Sequence, residues 1–206
     1  MPSPYSVAAM APSSQDADDQ CGFSNATGDV GVNQPQLRMG FTRFDKLTQP
    51  CIAEDYDLRP YQPSDNQAWI DLLSLGNFGR WDHDKLNRMI AGEQAPMPLG
   101  GVYFALKDSQ PVATACMFIY DIDGRECSQF GWLVVHPEHR GIGLGTDITR
   151  AVLRFIRQLG HNYVFLMTDD VRLSAIRIYL KLGFEPEFVH PSHEERWKAI
   201  RHRLAQ

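Results

Sequence analysis

Long apolar runs are missing from this chain. The longest, VATACMFIY at 112–120, falls far short of the roughly 20 residues a membrane-spanning helix needs, so no membrane segment is expected. The N-terminus has neither a basic region nor an adequate apolar stretch, which argues against a signal or transit peptide. Cysteine is scarce. Cys21, Cys51, Cys116 and Cys127 form no CxxC pair, and their spacing excludes a zinc ribbon. Cys116 and Cys127 fall in apolar, strand-like stretches, where a reduced buried thiol is the ordinary state, so a reducing, cytoplasmic compartment is expected. Lysine and arginine are absent from residues 1–37, while Asp16, Asp18, Asp19 and Asp29 give that segment −4 of the chain's −5. The remainder is close to neutral, and nothing in this balance argues for a general nucleic-acid binder.

What is present is the composition of a soluble domain, 206 residues with 43% hydrophobic and 22% charged. Residues 1–40 are rich in Pro, Ser, Gly, Asn, Gln and Asp without apolar period, and read as a flexible leader; residues 41–206 read as one domain. Within it, YDLRPY at 56–61 reads as a strand. SDNQAWIDLLSLG reads as a helix, with Ser64 or Asp65 as cap and Ala68, Leu72 and Leu75 at helical spacing. WDHDKLNRMIAG is a second short helix. GVYFALK, PVATACMFIYD and CSQFGWLVV are strands, joined by a DSQ turn and by Asp123-Gly124, a strong hairpin signal. After a glycine cluster, Ile148, Val152, Phe155 and Leu159 recur at helical spacing up to Gly160. NYVFLMT reads as a buried strand, VRLSAIRIYLKLGF as a helix stopped by Gly183, and EPEFV as a last strand. Ser192 and Glu195 form a capping-box pattern before a C-terminal helix. The fold class is α/β, with a mixed sheet and helices around it.

Gly141, Gly143 and Gly145 stand at alternate positions between a strand and a helix, directly after Arg140. Glycine there costs backbone entropy and adds nothing to a core, so something must approach the backbone closely. A strand running through glycines into a helix leaves free N–H groups at the positive end of the helix dipole, which makes an anion site. A P-loop would need Lys after its last glycine, and a dinucleotide fingerprint would need glycine where Thr146 stands.

RGIGLG at 140–145, preceded by Val135-x-Pro137, together with AIRIYLKLGF at 175–184, resembles the paired motifs of the GNAT superfamily of coenzyme A-dependent N-acetyltransferases. The resemblance is close over about 112–188. It implies a mostly antiparallel central sheet with helices on both faces and one splayed strand pair. In that gap the backbone of Leu133, Val134 and Val135 would hold pantetheine. Arg140 and the loop Gly141, Ile142, Gly143, Leu144, Gly145 and Thr146 would hold the pyrophosphate of acetyl-coenzyme A, the acyl donor. A β-carbon at Gly143 or Gly145 would stand where phosphate oxygens belong. Tyr179 occupies the position of a tyrosine that donates to the coenzyme A sulfur; without the Gly183-Phe184 that follows, it would read better as a core residue.

The resemblance therefore implies transfer of an acetyl group to a primary amine by direct attack in a ternary complex, on a small molecule or a peptide, by a monomer or homodimer. Relatives often carry Glu or His where Gln129 stands, and glutamine cannot take a proton at useful pH. Glu126, Asp169, Asp170 and His136 are the substitutes in sequence, although Asp169 and Asp170 read better as caps of the following helix. That missing base supports the alternative of a catalytically silent coenzyme A-binding domain. Arg172 replaces a frequent Asn. His136 and His139 lack a completing Cys or carboxylate in this reading, so no metal is expected. Phe78, Trp81 and His83 lie where the fold walls the acceptor, and Arg150, Arg154 and Arg157 line one helix side.

Overall fold

The computed structural model describes residues 34–76, 78–93, 95–122 and 124–206. Strand β1, Leu37–Phe41, is followed by β2, Tyr56–Pro60, and by helices α1, Asn66–Leu75, and α2, His83–Ile90. Strands β3, Tyr103–Lys107, β4, Gln110–Ile122, and β5, Arg125–Val135, form a meander leading to α3, Leu144–Gln158. Then come β6, Val164–Thr168, α4, Leu173–Leu182, β7, Glu185–Glu187, and α5, His193–Leu204. The seven strands make one sheet in the order β2-β3-β4-β5-β6-β1-β7, antiparallel everywhere except between β5 and β6. No helix among the described residues is long and apolar enough to cross a membrane.

The turns follow their residues. Asp108 and Ser109 both adopt positive φ in the two-residue β3–β4 turn, and Gly124 does so in the β4–β5 turn, where its N–H bonds the Asp121 carboxylate at 2.7 Å. The sheet separates two cores. On one face α3, α4 and α5 bury Leu144, Ile148, Val152, Ile176, Trp197 and Ile200 against β1, β4 and β6. On the other, α1 and α2 bury Trp69, Leu73, Leu86 and Met89 against Phe104, Cys116, Phe118 and Val134.

Two expectations need correction here. The leader does not extend to residue 40: Leu37, Met39 and Phe41 are fully buried, and β1 fills the slot between β6 and β7. Residues 1–33 lie outside the described residues. The Ser192 side chain does not cap α5, because its hydroxyl is taken by His190 Nδ1 at 2.9 Å.

Strand β5 carries the feature that shapes the site. Thr114 faces Val134 and Cys116 faces Gly131, so β5 holds one extra residue opposite β4. Trp132 sits in this bulge at φ +49°, a conformation rare for a bulky side chain. The bulge flips the alternation, sending Trp132 and Val134 into the α1–α2 core on the same side as Gln129. A bulge bends its strand, and the parallel ladder to β6 stops just before it, at Phe130 opposite Leu166. The ends of β5 and β6 splay apart beyond that point.

Candidate functional site

The splay leaves one backbone edge of Leu133, Val134 and Val135 without a neighbouring strand. Their side chains are fixed from both faces: Val134 is buried beside Gly76, while Leu133 and Val135 pack near Gly145. Past Val135 the chain makes a short turn, and Arg140 folds back so that its Nε donates to the Val135 carbonyl at 2.9 Å. Gly141 and Gly143 have φ of +85° and +95°, and Gly143 is the N-cap of α3. Among the described residues, the N–H groups of Gly141, Ile142, Gly143, Leu144 and Gly145 have no backbone acceptor. They lie where the dipole of a fifteen-residue helix concentrates positive charge. The acidic residue in that first turn, Asp147, is buried and neutralised, accepting from Arg150 at 2.7 Å and from the Cys51 N–H at 3.0 Å. The loop is therefore free to take an anion, with exposed Gly141, Ile142 and Gly143 in front and Arg140 at its edge.

The glycines divide by role. A β-carbon on Gly141 would meet nothing within 4 Å, and one on Gly143 only Asp147 Oδ2 at 3.7 Å, so positive φ is what requires glycine at both. Gly145 is different. It is buried, and a β-carbon there would stand 2.8 Å from Ile178 Cδ1 of α4. Its missing side chain lets α4 pack closely against the start of α3. Thr146 is half-buried, with its N–H already given to Gly143 O at 2.8 Å.

A splayed parallel pair and an open N–H loop agree with the family comparison. Residues 66–184 match the model of the Acetyltransferase (GNAT) family, which is more than half of the chain. The chain belongs to the GNAT family. It is 30% identical over 97 residues to an uncharacterized N-acetyltransferase of Schizosaccharomyces pombe, covering 46% of this chain and 60% of that protein. It is 25% identical over 166 residues to the mycothiol acetyltransferase of Acidothermus cellulolyticus, covering 72% and 50%. The chain thus spans only half to three-fifths of the length of these curated relatives. Among solved structures, Arabidopsis thaliana Naa50 in complex with a bisubstrate analogue, CoA-Ac-MVNAL, shares the fold at TM-score 0.52 and 20% identity, covering 64% of this chain and 83% of that one.

In this GNAT domain Tyr179 lies on α4 with its ring edge-on to Phe130 of β5, centroids 5.8 Å apart, and 5.7 Å from Phe184. Gly183 ends the helix in the left-handed region, and the Phe184 N–H returns to Tyr179 O at 3.0 Å, which explains the G-F of the motif structurally. Burial pushes the Tyr179 phenol well above the usual tyrosine range, only partly countered by the Arg172 charge. Its hydroxyl has no hydrogen-bond partner among the described residues.

The candidate bases do not assemble. Asp169 and Asp170 are not helix caps; Asp169 is held by Arg172 Nε at 2.9 Å and by Gln36 at 3.0 Å, and Asp170 by Arg196 at 2.7 Å. Glu126 stands at the far end of β5, next to the hairpin. His136 follows β5, and its Nδ1 accepts the Glu138 N–H. The structure does add a carboxylate to the histidine pair: His136, Glu138 and His139 bring their ligand atoms within 4.8 Å of one another. However, His139 Nδ1 is already bonded to the Tyr56 hydroxyl at 2.9 Å. Gln129 lies in β5 between Phe118 and Phe165 of the flanking strands, and its Oε1 is buried with no partner.

Of the expected acceptor wall, Phe78 is half-buried beneath the Arg172 guanidinium and Trp81 packs on Trp132 at 4.9 Å. His83 instead pairs with Gln67 at 3.1 Å on the exposed side of α1 and α2. Arg154 and Arg157 stay on the outer side of α3, Arg157 over Phe44 and bonded to Asn162. The bulge at Trp132 and the Arg172 bridge had no sequence signal.

Proposed function

We propose that this domain transfers an acetyl group from acetyl-coenzyme A to a primary amine in a ternary complex. The observation that carries the reading is the run of unpartnered N–H groups from Gly141 to Gly145, aligned with a strand edge opened by the Trp132 bulge. Pantetheine amides would bond the free edge of Leu133, Val134 and Val135 as a short extra strand, and the pyrophosphate would rest on the loop beside Arg140.

The two faces of the sheet divide the chemistry. Phe130 contacts the Tyr179 ring, whereas Gln129, the residue before it, faces the opposite side. The amine nitrogen approaches from the Gln129 side and bonds the thioester carbonyl carbon. The C–S bond breaks with its electron pair on sulfur, and the sulfur takes the Tyr179 proton. The proton lost by the amine goes to solvent, from which Tyr179 is restored. A phenol held above its usual pKa is protonated at neutral pH, as this role requires.

Acceptors of either kind, small-molecule or peptide amines, are admitted by this scheme. The acidic net charge supports neither nucleic-acid binding nor an anionic-membrane role. Free thiols at Cys51, Cys116 and Cys127 support a reducing, cytoplasmic setting, and a monomer or homodimer is the proposed assembly. A silent coenzyme A-binding domain is the second reading, favoured by Gln129 alone. Calorimetry with acetyl-coenzyme A followed by thiol release with an amine panel tests both. Binding with acetylated product supports transfer; binding without thiol release supports the silent reading, and no binding removes both.

A further inference from the structure

Among the described residues, one group of His, Cys, Asp and Glu side chains is close enough to share a metal ion: His136, Glu138 and His139, whose ligand atoms all lie within 4.8 Å of one another. They stand on the turn that joins β5 to the anion loop, and the acetyl-transfer scheme does not use them. The turn is pinned along its length. The His136 N–H donates to Val112 O at 2.8 Å, the His139 N–H to His136 O at 2.9 Å, and Arg140 Nε to Val135 O at 2.9 Å. Pro137 fixes the backbone between the two histidines. A held backbone therefore brings the three donors together.

Their chemistry suits a borderline divalent cation. Two imidazoles and a carboxylate are donors that zinc takes at about 2.0–2.2 Å, in a tetrahedron whose fourth position stays open. His136 Nδ1 lies 4.0 Å from Glu138 Oε2. Glu138 is 82% exposed and has no Lys or Arg partner among the described residues, so rotation of its free carboxylate closes the set. The Tyr56 hydroxyl stands 2.9 Å from His139 Nδ1 and does not block the site. With Nδ1–H donated to that hydroxyl, Nε2 keeps the lone pair, and a hydrogen bond on the far nitrogen is the usual support of a metal-bound histidine. Magnesium, which prefers an octahedron of oxygens and gives up its water reluctantly, would find one carboxylate here.

We propose that His136, Glu138 and His139 bind one zinc-type divalent cation, and that its charge strengthens acetyl-coenzyme A binding at the adjoining loop. Gly141 follows His139 by two residues, so the ion adds positive charge beside the free N–H groups that would receive the pyrophosphate. Linkage requires the reverse as well: bound acetyl-coenzyme A tightens the metal site by the same factor. The coupling rests on the coenzyme A reading of the loop, whereas the metal site stands without it.

The test is calorimetry on the full chain, stripped with EDTA and dialysed, then titrated with zinc chloride and, in contrast, with magnesium chloride. One zinc per chain is expected, and no magnesium. His136→Ala or His139→Ala should weaken zinc binding by more than about 100-fold, and Tyr56→Phe, which removes only the outer bond, by about 10-fold. A cooperative melting transition in EDTA checks that each variant folds. Zinc should raise wild-type acetyl-coenzyme A affinity by about 5-fold or more. That gain should vanish in His139→Ala, which also accounts for any zinc held by acetyl-coenzyme A itself. Absent zinc binding would overturn the site, as would equal zinc affinity in wild type and His139→Ala, or magnesium binding as tight as zinc. Unchanged acetyl-coenzyme A affinity with zinc bound would overturn the coupling. If acetyl-coenzyme A binds neither with zinc nor without it, the coenzyme A reading falls, and the zinc titration still decides the metal site.

Discussion

The Arg172 guanidinium lies over the Phe78 ring while its Nη1 donates to the Gly76 carbonyl at 3.3 Å and its Nε holds Asp169. One side chain thereby ties the turn after β6 to the loop after α1, and that loop rests on the bulged end of β5 through Gly76 and Val134. The two arms of the cleft are joined by this bridge. A cation–π contact of this exposure is worth about 0.5–2 kcal/mol, so Arg172→Ala should leave the fold intact. The expected effect is on the cleft: acetyl-coenzyme A affinity weaker by about 2- to 30-fold, the binding equivalent of that energy, with a melting temperature shifted only slightly. Arg172→Lys keeps charge but not the planar fork, and should fall between. Unchanged affinity in a folded Arg172→Ala protein would show that the bridge does not shape the cofactor cleft.

Gly143 and Gly145 should respond oppositely to substitution. At Gly143→Val the new β-carbon meets only Asp147 Oδ2 at ordinary contact distance, so its cost to the fold is the positive φ, roughly 1–2 kcal/mol, but its branched side chain would stand among the free N–H groups. Loss of detectable acetyl-coenzyme A binding in a folded protein is expected by calorimetry. Gly145→Val drives into Ile178 and should cost stability first, about 1–3 kcal/mol for overpacking. Near-normal cofactor affinity in Gly143→Val would remove the loop assignment.

The glycine loop and the motif around Tyr179 were legible because local backbone needs dictate them: positive φ at Gly143 and Gly183, and an apolar stripe on α3. Strand β1 was not. LRMGF does alternate, with Leu37, Met39 and Phe41 facing the core. Its other face is Arg38 and Gly40, which read as coil beside a polar, proline-containing segment. That face makes sense only with β7 in place. Arg38 pairs with Glu187, and a β-carbon on Gly40 would collide with the Glu187 carboxylate. The same reason hid the partner of Asp170. Capping is a local rule, whereas Arg196 reaches Asp170 from a helix 26 residues away. A bulge is likewise set by strand pairing, so nothing near Trp132 announced it.

Asp65 should make stability depend on acid. Burial would raise its pKa, but the bidentate Arg59 bonds at 2.7 and 2.8 Å and the Gln62 N–H at 2.7 Å outweigh that and hold it below the ordinary value. A carboxylate with a depressed folded pKa contributes stability above the unfolded value, about 3.9, and loses it as pH falls through the lower folded one. Asp65→Asn should therefore cost about 1.5–3 kcal/mol near pH 7, the range for a hydrogen bond to a charged group. The gap to wild type should narrow as pH drops below about 4. Urea titrations at pH 7 and pH 3 measure it; an equal gap at both would place the effect in packing rather than charge.

Tyr179 offers the sharpest test of mechanism. If its hydroxyl protonates the departing thiolate, Tyr179→Phe should lower kcat by about 10²-fold and leave acetyl-coenzyme A affinity unchanged, because the ring contacts with Phe130 and Phe184 survive. Gln129 cannot deprotonate the amine, so the wild-type rate should climb with pH towards the acceptor's own pKa, roughly 8–10 for ordinary amines. The rise should not be cut short by Tyr179, whose phenol burial keeps protonated well past the usual range. The same shift has a stability sign. An unfolded tyrosine ionises near about pH 10 while the folded one resists, so wild type should lose stability above that pH and Tyr179→Phe should lose less. A rate profile already flat below pH 7 would assign the base to another group. Single-turnover rates equal in wild type and Tyr179→Phe would return the residue to the core and take the general acid out of the scheme.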